Sequence, residues 1–269
     1  LDFDIYFINN LKYYIYNMFI NNFDPVAFNL FSLEIRWYSL SYIFGIILGW
    51  IYCKRFLINN KEILDLFDDF ISYLIIGLII GGRLGYVIFY NLEYYLNNLP
   101  EILMVWKGGM SFHGALIGII ISSVIFSKKN KINSFILLDL ISISAPIGIF
   151  FGRISNFING ELVGKKTDIY WGVIFPNVDN FSRHPSQLYE AFLEGIILFI
   201  LMNFVYFKEN YKTRRCSFVF LIFYGIFRIL SEFFREPDIQ VGYLFGSISM
   251  GMLLSMLMIL AGVTLFLKK

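Results

Sequence analysis

Four arginines, one histidine and several carboxylates sit inside stretches that are otherwise apolar, and their spacing is regular. Gln187, Glu190 and Glu194 are three and four residues apart, and Arg228, Glu232 and Arg235 are four and three apart, so each set falls on one face of a helix. Arg83 lies in Gly81-Gly82-Arg83-Leu84-Gly85-Tyr86, His113 in Gly108-Gly109-Met110-Ser111-Phe112-His113-Gly114, and Arg153 follows Gly152. Arginine presents a planar fork of donors to phosphate oxygens and keeps its charge in apolar surroundings. Histidine titrates near neutrality and can move a proton, while the glutamates can pair some of the arginines. The pattern describes a polar, positively biased cavity suited to a phosphate. Arg–Glu pairs can also do no more than lock helices together, and for any one pair both readings stand.

The elements that must carry these residues follow from composition. Of the chain, 58% is hydrophobic and 16% charged, against about 45–50% apolar in an average soluble domain. Seven stretches approach the roughly 20 apolar residues of a spanning helix, near 37–56, 68–90, 109–127, 133–152, 186–207, 217–235 and 243–267. The fold class expected is all-α, a polytopic membrane bundle of seven transmembrane helices forming one domain. Positive clusters at Lys54, Arg55 and Lys61, at Lys128, Lys129 and Lys131, at Lys208, Lys212, Arg214 and Arg215, and at Lys268 and Lys269 follow spans one, three, five and seven. The bias of lysine and arginine toward the cytoplasm then puts the amino terminus outside and the carboxyl terminus inside. The outer connections are 91–108, 153–185 and 236–242, the second being the largest, and nearly all the ionisable residues named above fall in the outer half. Asp139, toward the inner end of span four, reads instead as an interfacial or helix-pairing residue.

Other features are less informative. Phe, Tyr, Ile, Asn and Lys all have AT-rich codons, so single aromatics carry little weight. The net charge of +2 excludes nothing by itself, and nothing supports nucleic acid as a partner. Cys53 and Cys216 are too few for a disulfide framework and read as small buried side chains on the reducing side. Residues 1–36 mix Asp2, Asp4, Lys12, Asp24 and Pro25 and lack the basic start and apolar core of a cleavable signal.

Four segments hold chemistry that hydrophobic patterning does not explain. They are the Gly108–Gly114 run, the block from Gly152 and Arg153 through Asn156-Phe157-Ile158-Asn159-Gly160-Glu161-Leu162-Val163-Gly164, the run Arg183-His184-Pro185-Ser186-Gln187-Leu188-Tyr189-Glu190, and Glu232-Phe233-Phe234-Arg235-Glu236-Pro237-Asp238. Together with Phe23-Asp24-Pro25, Trp37-Tyr38 and Gly81-Gly82-Arg83, they resemble the bacterial phosphatidylglycerol–prolipoprotein diacylglyceryl transferases from about residue 23 to the end. The Asn156–Gly164 block, NFINGELVG, is the most specific of these motifs.

The resemblance implies transfer of the diacylglyceryl group of phosphatidylglycerol to the thiol of a prolipoprotein's lipobox cysteine, with glycerol phosphate leaving. The product is a thioether, so the nucleophile belongs to the substrate, and neither cysteine of this chain is expected on the outer side. By the same resemblance Arg153 and Arg235 form a phosphate clamp. His113 is the essential histidine, acting either as general base or as a hydrogen-bond donor to the lipid headgroup. Asn156 would bind the headgroup, Glu161 would orient Arg153 or another donor, Gly164 would allow close backbone approach, and Tyr38 is a further functional residue. Arg83, Glu190, Arg228 and Glu232 would support them, whereas His184, before a proline in an outer loop, reads as a structural hydrogen-bonding residue. The partners implied are the lipid, the signal-peptide segment of the prolipoprotein and the bilayer of the bacterial inner membrane, with the active site facing outward.

Two departures stand out. Ser155 replaces a common glycine, and Lys165–Ser182 is short beside the outer elaboration of many relatives. A secondary transporter and a non-catalytic lipid-binding protein are the alternatives. Against the transporter, the charges gather toward one side and no broken helix recurs in both halves. No cofactor and no metal are expected.

Overall fold

The computed structural model describes residues 18–31, 33–208, 213–237, 242–244 and 246–268. Among these the chain is predominantly helical. A short strand β1 (Phe19–Ile20) and a hairpin of β2 (Val26–Leu30) and β3 (Leu33–Arg36) precede α1 (Trp37–Leu57), whose last turn widens into a π-helix from Cys53 to Leu57. Next come α2 (Lys61–Tyr90), the short α3 (Leu92–Asn97), two 3-10 turns at Leu99–Leu103 and Val105–Lys107, α4 (Phe112–Asn130) and α5 (Ser134–Asn159). Strands β4 (Val173–Ile174) and β5 (Ser182–Arg183) lead into α6 (Ser186–Lys208) and α7 (Arg215–Glu232). The pair β6 (Tyr243–Leu244) and β7 (Ile248–Ser249) then precedes α8 (Met250–Leu267).

Five of the described helices, α1, α4, α5, α6 and α8, are long and apolar enough to cross a membrane. The two remaining expected spans fall on α2, which begins at Lys61, and on α7, which carries Arg215, Arg228 and Glu232. The all-α expectation needs one correction, because short strands occupy the ends of the bundle: β4 pairs with both β1 and β5, β2 with β3, and β6 with β7. Several boundaries also move. Helix α4 starts at Phe112 because Gly108 and Gly109 hold φ of +81° and +78°, a region costly for other residues. Helix α5 runs on to Asn159 and stops at Gly160 (φ +63°), so Arg153 and Asn156 are helical residues and not part of an outer loop. Of the charged residues used to orient the chain, Lys212 and Lys269 lie outside the described residues, as do Asp2, Asp4 and Lys12 of the amino-terminal segment.

Small residues set the closest helix contacts. Between α2 and α4 a Cβ added to Gly81 would lie 2.4 Å from the Gly114 carbonyl oxygen, and one on Gly118 2.0 Å from that of Gly77. Close backbone approach of this kind is the usual basis of packing between helices in lipid, where apolar burial alone gives no drive. The main apolar core gathers Phe67, Phe70, Phe126, Leu137, Ile143, Leu198, Met202 and Tyr224, and a smaller one holds Phe157, Val163, Val173 and Phe175. Cys53 and Cys216 are buried in the first.

Asp139 shows how a buried charge is tolerated here. Its carboxylate accepts from the Arg214 and Ser217 backbone amides at 2.6 and 2.7 Å and from Ser217 Oγ, capping the start of α7 from a neighbouring helix. The open amides and the dipole at a helix start favour an anion, so the helix-pairing reading of Asp139 describes its place.

The glycine contact makes a prediction. Gly81→Leu forces α2 and α4 apart and costs at least the roughly 1–3 kcal/mol of an overpacked core, whereas Gly152→Ala, whose Cβ meets open space, leaves the melting temperature in detergent near the parent's. Equal melting of the two variants would refute the contact.

Candidate active site

Helices α5, α6 and α7 bring three arginines and three glutamates to one place. Arg153 stands less than two turns from the end of α5, Glu190 and Glu194 on the first turns of α6, Arg228 and Glu232 on the last turn of α7, and Arg235 just beyond it. Directly after Glu190, α6 widens into a π-helix from Ala191 to Ile197, a distortion common at functional sites. Gln187, Glu190 and Glu194 are all fully buried, as their shared face requires.

The ion pairs are continuous. Arg153 meets Glu190 through Nη1 at 2.9 Å and Glu194 Oε2 through Nη2 at 2.8 Å, and its Nε donates to the same Glu194 oxygen at 3.1 Å. Arg228 donates to Glu190 Oε1 at 2.6 Å and meets Glu232 Oε2 at 2.8 Å. Arg235 approaches Glu232 at 3.5 Å and Glu190 at 4.0 Å. Ser249, at the start of α8, donates to Glu232 at 2.9 Å. Three cations thus face three anions, and Glu190 touches all the arginines. A buried charge must be paired or it costs several kcal/mol, which explains why the two sets come together. Glu194 was legible in the sequence only as a member of the α6 face; the structure makes it the main partner of Arg153.

An elongated cavity of about 610 Å³ reaches this network. It follows α1 from Tyr38 to Cys53 and α5 from Asn156 to Ser134, with mostly apolar walls. Arg153 and Asn156 lie on its lining with Tyr38, Tyr42, Met110 and Ser111; the side chains of Arg228 and Arg235 do not. Of the two arginines expected to clamp a phosphate, only Arg153 borders the cavity. Tyr38 and Tyr42 share a hydrogen bond at 3.1 Å. His113, on the first turn of α4, is not itself on the lining but directly follows the lining residues Ser111 and Phe112, lies in electrostatic range of Arg228, Glu232 and Arg153, and its buried Nε2 has no hydrogen-bond partner among the described residues.

The signature block is held by its own polar groups. Glu161 accepts from Asn159 Nδ2 at 3.2 Å and Asn156 Nδ2 at 3.5 Å, so of its two expected partners it takes the other donor and not Arg153. Gly164 packs where a Cβ would lie 2.2 Å from the His184 carbonyl oxygen and 2.8 Å from that of Phe234, and it forms a β-bridge with Arg235. That close approach fixes the backbone from which Arg235 projects. Arg183 fastens the same region, pairing Asp179 at 2.7 Å and Glu236 at 3.2 Å and donating to the Gly164 carbonyl at 2.8 Å. The Arg183 bond holds the Asp179 carboxyl below its usual range, and burial, with Lys165 nearby, lowers His184. The His184 ring lies 3.3 Å from the Tyr189 hydroxyl and packs on Phe234, a structural role. Asp238 of the same motif lies outside the described residues.

Arg83 is not brought to the cluster. Its guanidinium donates to backbone carbonyls of residues 101–109, so it does not stand behind the other arginines as expected. The described residues hold no group of three or more His, Cys, Asp or Glu that could bind a metal ion.

A family profile described as prolipoprotein diacylglyceryl transferase matches residues 25–268 of the chain. Among curated proteins, a phosphatidylglycerol–prolipoprotein diacylglyceryl transferase of Ehrlichia canis is 52% identical over 89% of this chain and 93% of its own length. Those of Rickettsia bellii and Rickettsia typhi are 48% and 50% identical, over 92% and 91% of this chain and 95% and 96% of their own lengths.

The network predicts unequal costs for removing charges. Glu194→Ala leaves Arg153 short of an anion in a buried place and costs about 3–5 kcal/mol, while Lys54→Met, which breaks the exposed Lys54–Asp68 pair, costs less than about 1 kcal/mol. Unfolding of the two variants in one detergent measures the difference, and similar losses would contradict the pairing.

Proposed function

This chain belongs to the prolipoprotein diacylglyceryl transferase family, and from that premise we propose that it moves the diacylglyceryl group of phosphatidylglycerol to the thiol of a lipobox cysteine in a prolipoprotein. The sulfur of the peptide forms a bond to the terminal glycerol carbon, and the carbon–oxygen bond to phosphate breaks. Glycerol phosphate departs with the electron pair, and the thiol proton passes to a base. The names carried by the relatives support these substrates, and the observation that carries the reading in this chain is the meeting of a long apolar cavity with a buried arginine network at Arg153.

The roles follow from placement. The acyl chains occupy the cavity, and the phosphate meets Arg153, whose contacts with Glu190 and Glu194 leave guanidinium donors to spare. As the ester bond breaks, negative charge grows on the departing phosphate, and fixed donors in a dry site stabilise that change more than they stabilise the bound lipid. Asn156 and Tyr38, on the same lining, bind the headgroup. Arg228, Arg235 and Glu232 keep the network in register, so Arg235 supports the phosphate through shared carboxylates and not as the second jaw of a clamp. His113, with a buried ring nitrogen that has no hydrogen-bond partner among the described residues, takes the thiol proton, since thiolate is the reactive form.

The same reading gives the topology: α2 and α7 cross the membrane with the other five helices, making seven spans, with the amino terminus outside and the carboxyl terminus in the cytoplasm. The positive clusters after α1, α4, α6 and α8 support this orientation, which puts the site toward the outer leaflet of a bacterial inner membrane. The whole chain then forms one membrane domain with its largest outer connection between α5 and α6.

Incubating the purified protein with phosphatidylglycerol labelled in its acyl chains and a lipobox peptide should label the peptide's cysteine. An unlabelled peptide beside an active relative would end the assignment. Arg153→Lys should lower kcat about 100-fold, as loss of a fixed donor to developing charge does, and His113→Gln should lower it by at least about 100-fold if the ring is the base. A near-normal rate in either variant removes that residue's role.

A further inference from the structure

The connection from α2 to α4 carries apolar side chains where a loop in water would carry polar ones. Leu92, Leu96, Leu99, Leu103 and Trp106, spaced four, three, four and three apart, all face outward, and Leu103 and Trp106 are 79% and 76% exposed. An exposed apolar strip of this kind marks an interaction surface. It continues the outward row of α2 at Ile80, Leu84 and Ile88, and α2 is packed along α4, which presents Ile117, Ile121 and Ile125 outward in the same way.

Arg83 fixes the depth of the strip. It donates to the carbonyls of Glu101 at 2.7 Å, Ile102 at 2.9 Å and Gly109 at 3.3 Å, and to that of Gly108, and its guanidinium lies 5.0 Å from the Tyr95 ring centroid. Arg83 is seven residues before the end of α2 at Tyr90, or about 10 Å along the axis. Residues 101–109 therefore fold back beside the outer turns of α2 instead of standing above them. Carbonyls outside a regular helix cannot be left bare in hydrocarbon and must be satisfied by protein. Arg83 supplies that need with one side chain, which explains an arginine here that pairs with backbone carbonyls. The return ends where the Ser111 amide donates to the Gly82 carbonyl at 2.9 Å, two residues before His113.

We propose that residues 92–107 form a re-entrant wedge seated among the acyl chains of the outer leaflet, that Arg83 is its positioning residue, and that the wedge sets the turn leading to His113. The partner is lipid, because the strip continues at a four-residue step the exposed apolar row of α2, Ile80, Leu84 and Ile88, in a bundle of which five helices are long and apolar enough to cross a membrane. The location in the outer leaflet rests on the topology given above.

Tryptophan quenching tests the wedge without requiring turnover. Replacing Trp37, Trp50 and Trp171 with Phe leaves Trp106 alone among the four tryptophans. In vesicles of phosphatidylglycerol brominated on its acyl chains, Trp106 emission should be largely lost, while iodide in the outer solution should remove little. Quenching by iodide without quenching by bromine overturns the wedge, active enzyme or not. Protection from iodide that arises only when a lipobox peptide is added would give the strip to the polypeptide and also overturn it. In the same background, Arg83→Gln should raise iodide quenching and lower kcat with KM for the peptide unchanged, and Arg83→Lys should fall between the two. Quenching that neither substitution moves removes Arg83 as the positioning residue.

Discussion

Three guanidinium groups and three carboxylates share a volume from which water is nearly excluded, and neither set is stable there without the other. The cost of an unpaired buried charge forces α5, α6 and α7 to converge, since each supplies part of the balance. Glu190 is the shared member, touching Arg153, Arg228 and Arg235. A network held by a shared carboxylate can redistribute its bonds when an anion arrives. The cluster thus places the Arg153 guanidinium on the lining of an apolar cavity without leaving a bare charge in the bundle.

Two further charged residues solve a different problem. Asp139 and Arg83 both serve backbone groups: Asp139 accepts the open amides at the start of α7, and Arg83 donates to the open carbonyls between α3 and α4. In water those groups would be solvated at no cost. Within a bilayer each unsatisfied one costs several kcal/mol, and a side chain placed against them lets the chain depart from helix at depth. The charged cluster and the frame around it are therefore built from the same residue types used for separate ends, charge against charge at Arg153 and charge against peptide dipole at Arg83.

Spacing made most of the site legible. The face shared by Gln187, Glu190 and Glu194, and that of Arg228, Glu232 and Arg235, are real faces and meet. What spacing does not encode is the partner. Arg83, at a depth like that of Arg153, looked like another member of the cluster because a sequence shows a buried charge but not whether a carboxylate or a carbonyl answers it. Arg235 matches a clamp position, but its backbone is fixed by the bridge to Gly164 and it is not among the residues that line the cavity. Helix boundaries differ for local reasons: Gly152-Arg153 reads as an exit from the membrane although α5 continues to Asn159, and Gly109 reads as the start of a span although its φ is positive and α4 begins at Phe112. The two-residue strands β1 and β4 to β7 leave no clear signal, since pairs that short are fixed by the packing around them and not by their own pattern.

We infer that Arg153, held by Glu190 and Glu194, meets the lipid phosphate. Solid-state NMR on the enzyme with arginine side chains labelled in ¹⁵N and phosphatidylglycerol bound can read phosphorus–nitrogen dipolar coupling directly. The account predicts a strong coupling that vanishes in Arg153→Lys while lipid remains bound. A coupling that survives that substitution, or none in the parent enzyme with lipid bound, would contradict it.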